Sequence, residues 1–400
     1  MPSFHPEEAD WYLDDPHSAF RELRASDPVH WHEAGGFWCV TRHADIQYVS
    51  RHPRLFSSAR GTQLFEASPS RRGKLLGRAG REAAPAIIRM DPPAHNVHRK
   101  LVIGEFTTQR VAKMEPWIRN VARQCLDSID PADPIDLVDR IAVPLPMQVI
   151  AELLGVPPED ADQFKRWSDA VVELGGGEMV AANVQAMGEF VAYLGDVIAE
   201  RRREPQDDLV SHLLASEIEG RRLTDTEMAM FCVTLLVAGN ETTRNLISGG
   251  ALALAQHPDQ RDALVTDPSL IPNAVEEMLR WVSPVRSFIR HANQDTELRG
   301  RKIQQGEYVA LFYASANRDE EVFGDDAEAF DIRRPDARRH IAFGFGEHLC
   351  LGAPLARLEA RVMFEELLAR WPRFEPTAPA TPLRSSLMQG IQHLPVTLAP

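Results

Sequence analysis

Phe343-Gly344-Phe345-Gly346-Glu347-His348-Leu349-Cys350-Leu351-Gly352 is the stretch on which the reading of this chain turns. One cysteine sits near the end of a glycine-punctuated turn and directly ahead of a helical pattern, Ala353 to Trp371. Gly344, Gly346 and Gly352 permit positive φ and close backbone approach, so the loop can lay its peptides flat against a large planar group. Backbone N–H groups crowding a sulfur stabilise its thiolate, and the N-terminus of the following helix adds partial positive charge. Zinc and iron–sulfur sites need three or four ligands, which a lone cysteine cannot supply. Axial ligation of haem needs only one. Taken alone, Cys350 has a competing reading as a buried structural thiol, the commoner fate of a free cysteine.

Four hundred residues with 44% hydrophobic content can bury a large core. A net charge of −14 argues against a general nucleic-acid binder, which needs a basic surface for phosphates. Cys39, Cys125, Cys232 and Cys350 show no C-x-x-C spacing, as expected in a reducing compartment without disulfides. Met1 to Asp15 is acidic and lacks the basic and apolar regions of a signal peptide. No run reaches the roughly 18 consecutive apolar residues of a membrane span; even Phe231 to Gly239 is followed at once by Asn240 and Glu241. A soluble, cytoplasmic protein without a membrane anchor is expected.

From the start, the pattern predicts a helix within 10–30 ending at Asp27-Pro28, then a hairpin from Val29 to Val40 turning at Ala34-Gly35-Gly36. A further helix is predicted from Thr41 to Ser50. Arg60 to Met90 is rich in Gly, Pro, Ser and Ala and carries Arg60, Arg71, Arg72, Lys74, Arg78 and Arg81. Such a segment is either a solvated loop or a functional one. After Asp91-Pro92-Pro93 a helix puts His95 and Arg99 one turn apart on one face, able to grip one anion. Val111 to Arg203 reads as helical, broken at Pro131 and Pro134, at Pro144 and Pro146, and at Pro157-Pro158. Gly175-Gly176-Gly177 interrupts it again.

Thr224-x-x-Glu227 forms a capping box and opens a helix to about Gln256, roughly 50 Å long. Its middle reads Ala238-Gly239-Asn240-Glu241-Thr242-Thr243. A glycine, two alcohols and a carboxylate inside an otherwise apolar helix are costly. Thr242 can hydrogen-bond the Ala238 carbonyl and open the helix there. Function explains such a breach better than packing does.

The full pattern Phe-Gly-x-Gly-x-His-x-Cys-x-Gly resembles the haem-binding signature of the cytochrome P450 family, and Ala238 to Thr243 is similar to that family's oxygen-activation motif. The resemblance spans the chain. It implies a mainly α fold, with residues 1–400 forming one triangular helical domain and a smaller β-rich part at about 28–60, 285–315 and 383–398. It implies haem b (iron protoporphyrin IX) with Cys350 as the metal ligand, Phe343, Gly344 and Gly352 in the loop against it, and Ala238 on the oxygen side. His95, Arg99, Arg290 and His348 match positions that hold the propionates. Thr242 would hydrogen-bond the oxygen under activation, and Glu241 would relay protons from bulk solvent. Glu277-x-x-Arg280 with Arg334 is similar to a structural network of the family, in which buried charges must be fully paired.

Ile88, Val237, Ala238, Val285, Arg286, Phe288 and the turn residue Met388 are expected to line the substrate pocket. Arg286 would meet either a propionate or a polar group of the substrate. The basic segment from Arg60 to Arg81 would lie over the distal face, favouring an anionic substrate or pairing with the acidic remainder of the chain. Gly175 to Gly177 would fall within a lid or a plain surface loop. Lys100, Arg110 and Lys113 would lie on the proximal side, where an acidic ferredoxin docks.

The function implied is hydroxylation of an unactivated C–H bond of a hydrophobic small molecule, using O2 and electrons from a ferredoxin and its ferredoxin reductase, by a monomer. Met90-Asp91-Pro92-Pro93-Ala94-His95 and Gly390-Ile391-Gln392-His393-Leu394-Pro395 resemble bacterial members that act on sterol side chains and branched or fatty lipids. A terpene or polyketide tailoring hydroxylase is the alternative within the family. A haem-binding sensor would need Cys350 and the propionate grips, but not Glu241 and Thr242. A peroxide-using haem enzyme would share the loop without that pair.

Overall fold

The capping box forms: Thr224 Oγ1 accepts from the Glu227 N–H at 3.2 Å, and the Glu227 carboxylate accepts from the Thr224 N–H at 2.9 Å. The helix it starts runs Asp225–Gln256 and ends before Pro258, which cannot continue it. This computed structural model describes residues 4–67, 86–175, 180–217 and 220–399. The long helix is buried at intervals from Met228 to Leu254 because other helices pack around it. Its neighbours are Pro144–Leu153, Ala161–Gly175, Ala181–Arg203, Ile271–Val282 and Ala353–Arg370. The fold is mainly α, with smaller sheets at its side.

Two local expectations change. Residues 10–30 resolve into a 3-10 turn, Ala9–Leu13, and a helix, Pro16–Ser26, whose Asp15 cap accepts from the His17 N–H at 3.0 Å. Pro144 and Pro146 do not break a helix. They begin one, Pro144–Leu153, after a wide turn at Val138–Ala142. First-turn residues have no intrahelical partner for their N–H, so proline loses nothing there. Gly176, Gly177 and the basic residues from Arg71 to Arg81 lie outside the described residues.

The strands are β1 (Val29–His32), β2 (Phe37–Val40), β3 (Phe56–Ser57), β4 (Ile135–Asp136), β5 (Ser287–Ala292), β6 (Thr296–Leu298), β7 (Arg301–Ile303), β8 (Tyr308–Phe312), β9 (Arg373–Pro376), β10 (Thr381–Pro382), β11 (Ile391–His393) and β12 (Pro395–Ala399). The main sheet has the order β1-β2-β8-β5-β3. Its hairpin pairs Val29 with Val40 and His32 with Phe37, so the Ala34-Gly35-Gly36 turn falls where the sequence puts it. β4, β12 and β9 form a second sheet, which joins residues far apart in the chain. Among the described residues no helix is long and apolar enough to cross a membrane.

Two buried charge networks fix the helix Ile271–Val282 to the rest. Arg280 forks onto Glu277 with two 2.7 Å bonds and donates to the carbonyls of Asn317, Ala327 and Ala329. Arg334 closes on Glu277 Oε1 at 3.4 Å and on the Phe323 and Asp326 carbonyls. Glu277 and Arg280 are fully buried, so every charge here needs these partners. Beside them, Glu276 accepts from Arg357 (2.7 Å) and bonds His340 (3.0 Å). Burial alone would raise the Glu276 carboxyl, but these two partners push it down to about 2. Arg357 also lies over the Phe343 ring, 4.6 Å from its centroid, so this network reaches the cysteine loop.

Among the described residues, Glu277→Ala leaves the buried Arg280 guanidinium without a carboxylate, while Arg334 keeps only Asp326, at 3.0 Å. It is expected to lower stability by about 3 kcal/mol or more, read by denaturant unfolding; an unchanged midpoint would contradict the network's structural role.

Candidate active site

The cysteine loop is drawn in by its own backbone. Gly344 N–H donates to Ile341 O, and Cys350 N–H to Phe343 O, both at 2.9 Å. Gly344 and Gly346 have φ of 74° and 73°, which L side chains rarely adopt. At Gly346 a Cβ would also collide with the Ser50 carbonyl oxygen. Gly352 differs from expectation, because its φ is −79° and needs no glycine. Its contribution is a backbone N–H directed at the Cys350 sulfur, joined by that of Ala353.

Cys350 is exposed, whereas Cys39, Cys125 and Cys232 are buried. Yet protein packs around it densely enough that burial raises its thiol pKa. The thiol thus reaches solvent from within dense surrounding packing. The Gly352 and Ala353 N–H groups and the positive charges of Arg99 and Arg357 act against burial and favour the thiolate.

The long helix has a partly exposed stretch in its middle. Ala238 is exposed and Thr242 half-buried, although Asn240, Glu241 and Thr243 between and beside them are buried. Thr242 Oγ1 donates to the Ala238 carbonyl at 2.5 Å, and the helix stays continuous α through this stretch instead of opening as the sequence suggests. Glu241 turns elsewhere. Its Oε1 accepts from Asn245 Nδ2 at 3.2 Å, and its Oε2 meets Arg244 Nη1 at 3.3 Å. Burial raises its pKa; Arg244 and Asn245 oppose this, and the Asp169 charge adds to it. Glu241 and Thr242 share no hydrogen bond, so the structure sets the acid and the alcohol next to one another in sequence without joining them. Arg244 and Asn245 were not expected from the sequence, although i,i+3 and i,i+4 spacing is the signal that reveals them.

Two arginines and two neutral histidines gather beside the cysteine loop. The His95 and His348 rings have centroids 4.3 Å apart. Burial, then the charges of Arg290, His95 and Arg99, push the His348 pKa down to about 3. Arg99 donates to the Leu349 carbonyl at 2.7 Å, Arg290 to the Ile289 carbonyl at 2.8 Å, and His348 Nε2 meets Ser58 Oγ at 3.1 Å. Asp91 lies near His95, but it is taken by the Ser57 hydroxyl and the Ser58 N–H. Among the described residues none of the four forms an ion pair with a carboxylate. Two arginines and two histidines with no anion of their own suit a ligand that brings carboxylates. Haem b brings two, and a thiolate candidate stands beside them, so the residues fit it.

The apolar pocket candidates Ile88, Val237, Val285, Phe288 and Met388 are all half-buried, and Phe343 likewise. Arg286 departs from expectation. It is 4% exposed, and its Nε donates to the Met388 carbonyl instead of reaching a propionate or an open pocket. On the far side of the loop, Lys100 and Lys113 are exposed, while Arg110 is paired with Glu105 at 2.9 Å. A cavity of about 300 Å³ opens there, with Glu276, Arg338, Arg357 and Arg361 among its walls.

The family model described as Cytochrome P450 matches residues 176–394. The chain is 40% identical over 390 residues to a steroid C26-monooxygenase of Mycobacterium tuberculosis, covering 96% of this chain and 94% of that one. It is 37% identical over 406 residues to a methyl-branched lipid omega-hydroxylase of the same organism, covering 97% and 92%. Among solved structures, a cytochrome P450 from Chondromyces apiculatus superposes with a TM-score of 0.88 at 39% identity, covering 97% of this chain and 96% of that one. The helical body, the exposed cysteine in its glycine loop and these likenesses agree: the chain belongs to the cytochrome P450 family and is a haem b monooxygenase.

Proposed function

We propose that Cys350 is the thiolate ligand of the haem, that Glu241 and Thr242 deliver protons on the opposite side, and that the substrate is a steroid or a lipid chain. The observation that carries this reading is Cys350 itself, solvent-accessible yet densely surrounded, with two N–H groups on its sulfur. Haem b, when bound, supplies the centre at which dioxygen is reduced and one oxygen atom is passed to a substrate C–H bond.

The chain's own groups then have separate tasks. Arg99 and Arg290 hold the propionates by charge and hydrogen bonding, and the neutral His95 and His348 by hydrogen bonding. Thr242, half-buried and bonded to the Ala238 carbonyl, accepts and donates protons at its hydroxyl. Glu241 has a raised pKa and therefore keeps a proton to give near neutral pH more readily than a solvated glutamate. Ile88, Val237, Val285, Phe288 and Met388 present an apolar wall that selects by shape.

The steroid or lipid assignment is supported by relatives named for steroid and methyl-branched lipid hydroxylation. A ferredoxin as electron donor is supported by the exposed Lys100 and Lys113 and by the Arg338 and Arg357 side chains at the cavity beside the cysteine loop. These would attract an acidic partner despite the chain's net negative charge.

Thr242→Ala is expected to keep haem and substrate binding while diverting electrons into peroxide or water, lowering product per NAD(P)H consumed. Glu241→Gln is expected to slow product formation by about 100-fold. Unchanged coupling in both variants would remove the pair from the proton route.

Optical titration of the ferric protein is expected to give a saturable low-spin to high-spin shift with a steroid ketone or a methyl-branched fatty acid. A shift only with a polyketide-sized macrocycle would sink the steroid and lipid assignment.

A further inference from the structure

Arg286 is a buried cation with an unusual set of partners. It is 4% exposed, and among the described residues no carboxylate pairs with it. Its Nε donates to the Met388 carbonyl at 3.0 Å and its Nη1 to Gln389 Oε1 at 3.2 Å. The guanidinium carbon lies 4.2 Å from the centroid of the Tyr12 ring. Burial pushes its pKa down to about 10, the cost expected of a charge removed from water without a counter-ion. Packing alone would be met by methionine or leucine at lower cost.

The partners explain the arginine. Residues 284–286 and 387–389 are zipped together by backbone bonds, Arg286 N–H to Leu387 O at 2.8 Å and Gln389 N–H to Pro284 O at 2.9 Å, with a bridge between Val285 and Met388. Ser385 Oγ accepts from the N–H groups of Leu387 and Met388, at 3.2 and 3.0 Å. The Arg286 fork then fixes the remaining freedom of this turn, the direction of the Met388 carbonyl and the Gln389 side chain. Tyr12 backs the guanidinium, and its own hydroxyl is tied to Pro6 O at 2.9 Å. A ring face and neutral oxygens are partners that suit a planar guanidinium better than an ammonium.

We infer that Arg286 is a positioning residue for the pocket wall: it sets where Met388 stands, and so which ligand shapes the haem pocket accepts. This rests on the reading above that Met388 faces the pocket. Arg286 touches the turn and the N-terminal segment, and the substrate meets only the wall that Arg286 positions.

The test uses imidazole and phenylimidazole, whose nitrogen binds haem iron with an optical shift. Imidazole reports access to the iron; the added ring reports the wall. In the haem-loaded Arg286→Gln and Arg286→Lys variants, the ratio of the two dissociation constants is expected to change by about ten-fold, within the range one misplaced apolar contact produces. The imidazole constant is expected to stay as in the parent. Lysine should not rescue, since it lacks the fork. Gln389→Ala, which removes one arm and leaves the arginine, is expected to move the ratio in the same direction by less, and it carries the test if the Arg286 variants fail to load haem. Met388→Ala is the control for the wall. A ratio that moves in Met388→Ala but stays fixed in the Arg286 and Gln389 variants overturns the inference and leaves the pocket reading standing. A ratio fixed in Met388→Ala overturns the pocket reading of Met388, and the inference falls with it. Equal weakening of both ligands in the Arg286 variants also overturns it, because the effect would then lie at the haem.

Discussion

The proposed thiolate of Cys350, a negative charge held inside the protein, is the constraint around which this account of the molecule is arranged. Burial raises the Cys350 pKa and works against the thiolate. The N–H groups of Gly352 and Ala353 work for it, as do the Arg99 and Arg357 charges. Those donors exist because the loop turns through Gly344 and Gly346 in left-handed conformations and then enters the helix Ala353–Arg370 directly. The sulfur therefore sits at a helix N-terminus, in the favourable part of its dipole.

The surrounding charges hold this arrangement still. Arg357 reaches from the loop's own helix to Glu276 and lies over Phe343, while Glu277, Arg280 and Arg334 lock the neighbouring helix to the carbonyls of residues 317–329. Buried ion pairs of this kind contribute little net stability, but breaking one leaves an uncompensated charge. Their value here is positional. In the long helix, Ala238 is exposed and Thr242 half-buried, while Glu241 is kept on its own Arg244 and Asn245.

What could be read from the chain was what is local in it. The glycine loop with its cysteine, the Thr224 capping box, the Ala34-Gly35-Gly36 hairpin turn and the Thr242-to-Ala238 hydrogen bond all depend on residues a few positions apart. The i,i+3 pair Glu277 and Arg280 is local too, although only its burial makes it matter. Arg286 was misplaced because its partners, Tyr12 and Met388, come from opposite ends of the chain. The Glu276, His340 and Arg357 network was missed for the same reason, since adjacent glutamates at 276 and 277 give no hint that each serves a different arginine. Pro144 and Pro146 misled because proline marks a helix start as readily as a helix end. The basic run from Arg71 to Arg81 lies outside the described residues.

The central claim is that Cys350 sulfur binds the iron. X-ray absorption at the iron edge of the ferric, haem-loaded protein tests it directly, in the parent and in Cys350→His. A sulfur scatterer in the parent that is replaced by nitrogen in the variant is the predicted result. A parent spectrum with only nitrogen or oxygen neighbours would contradict the account.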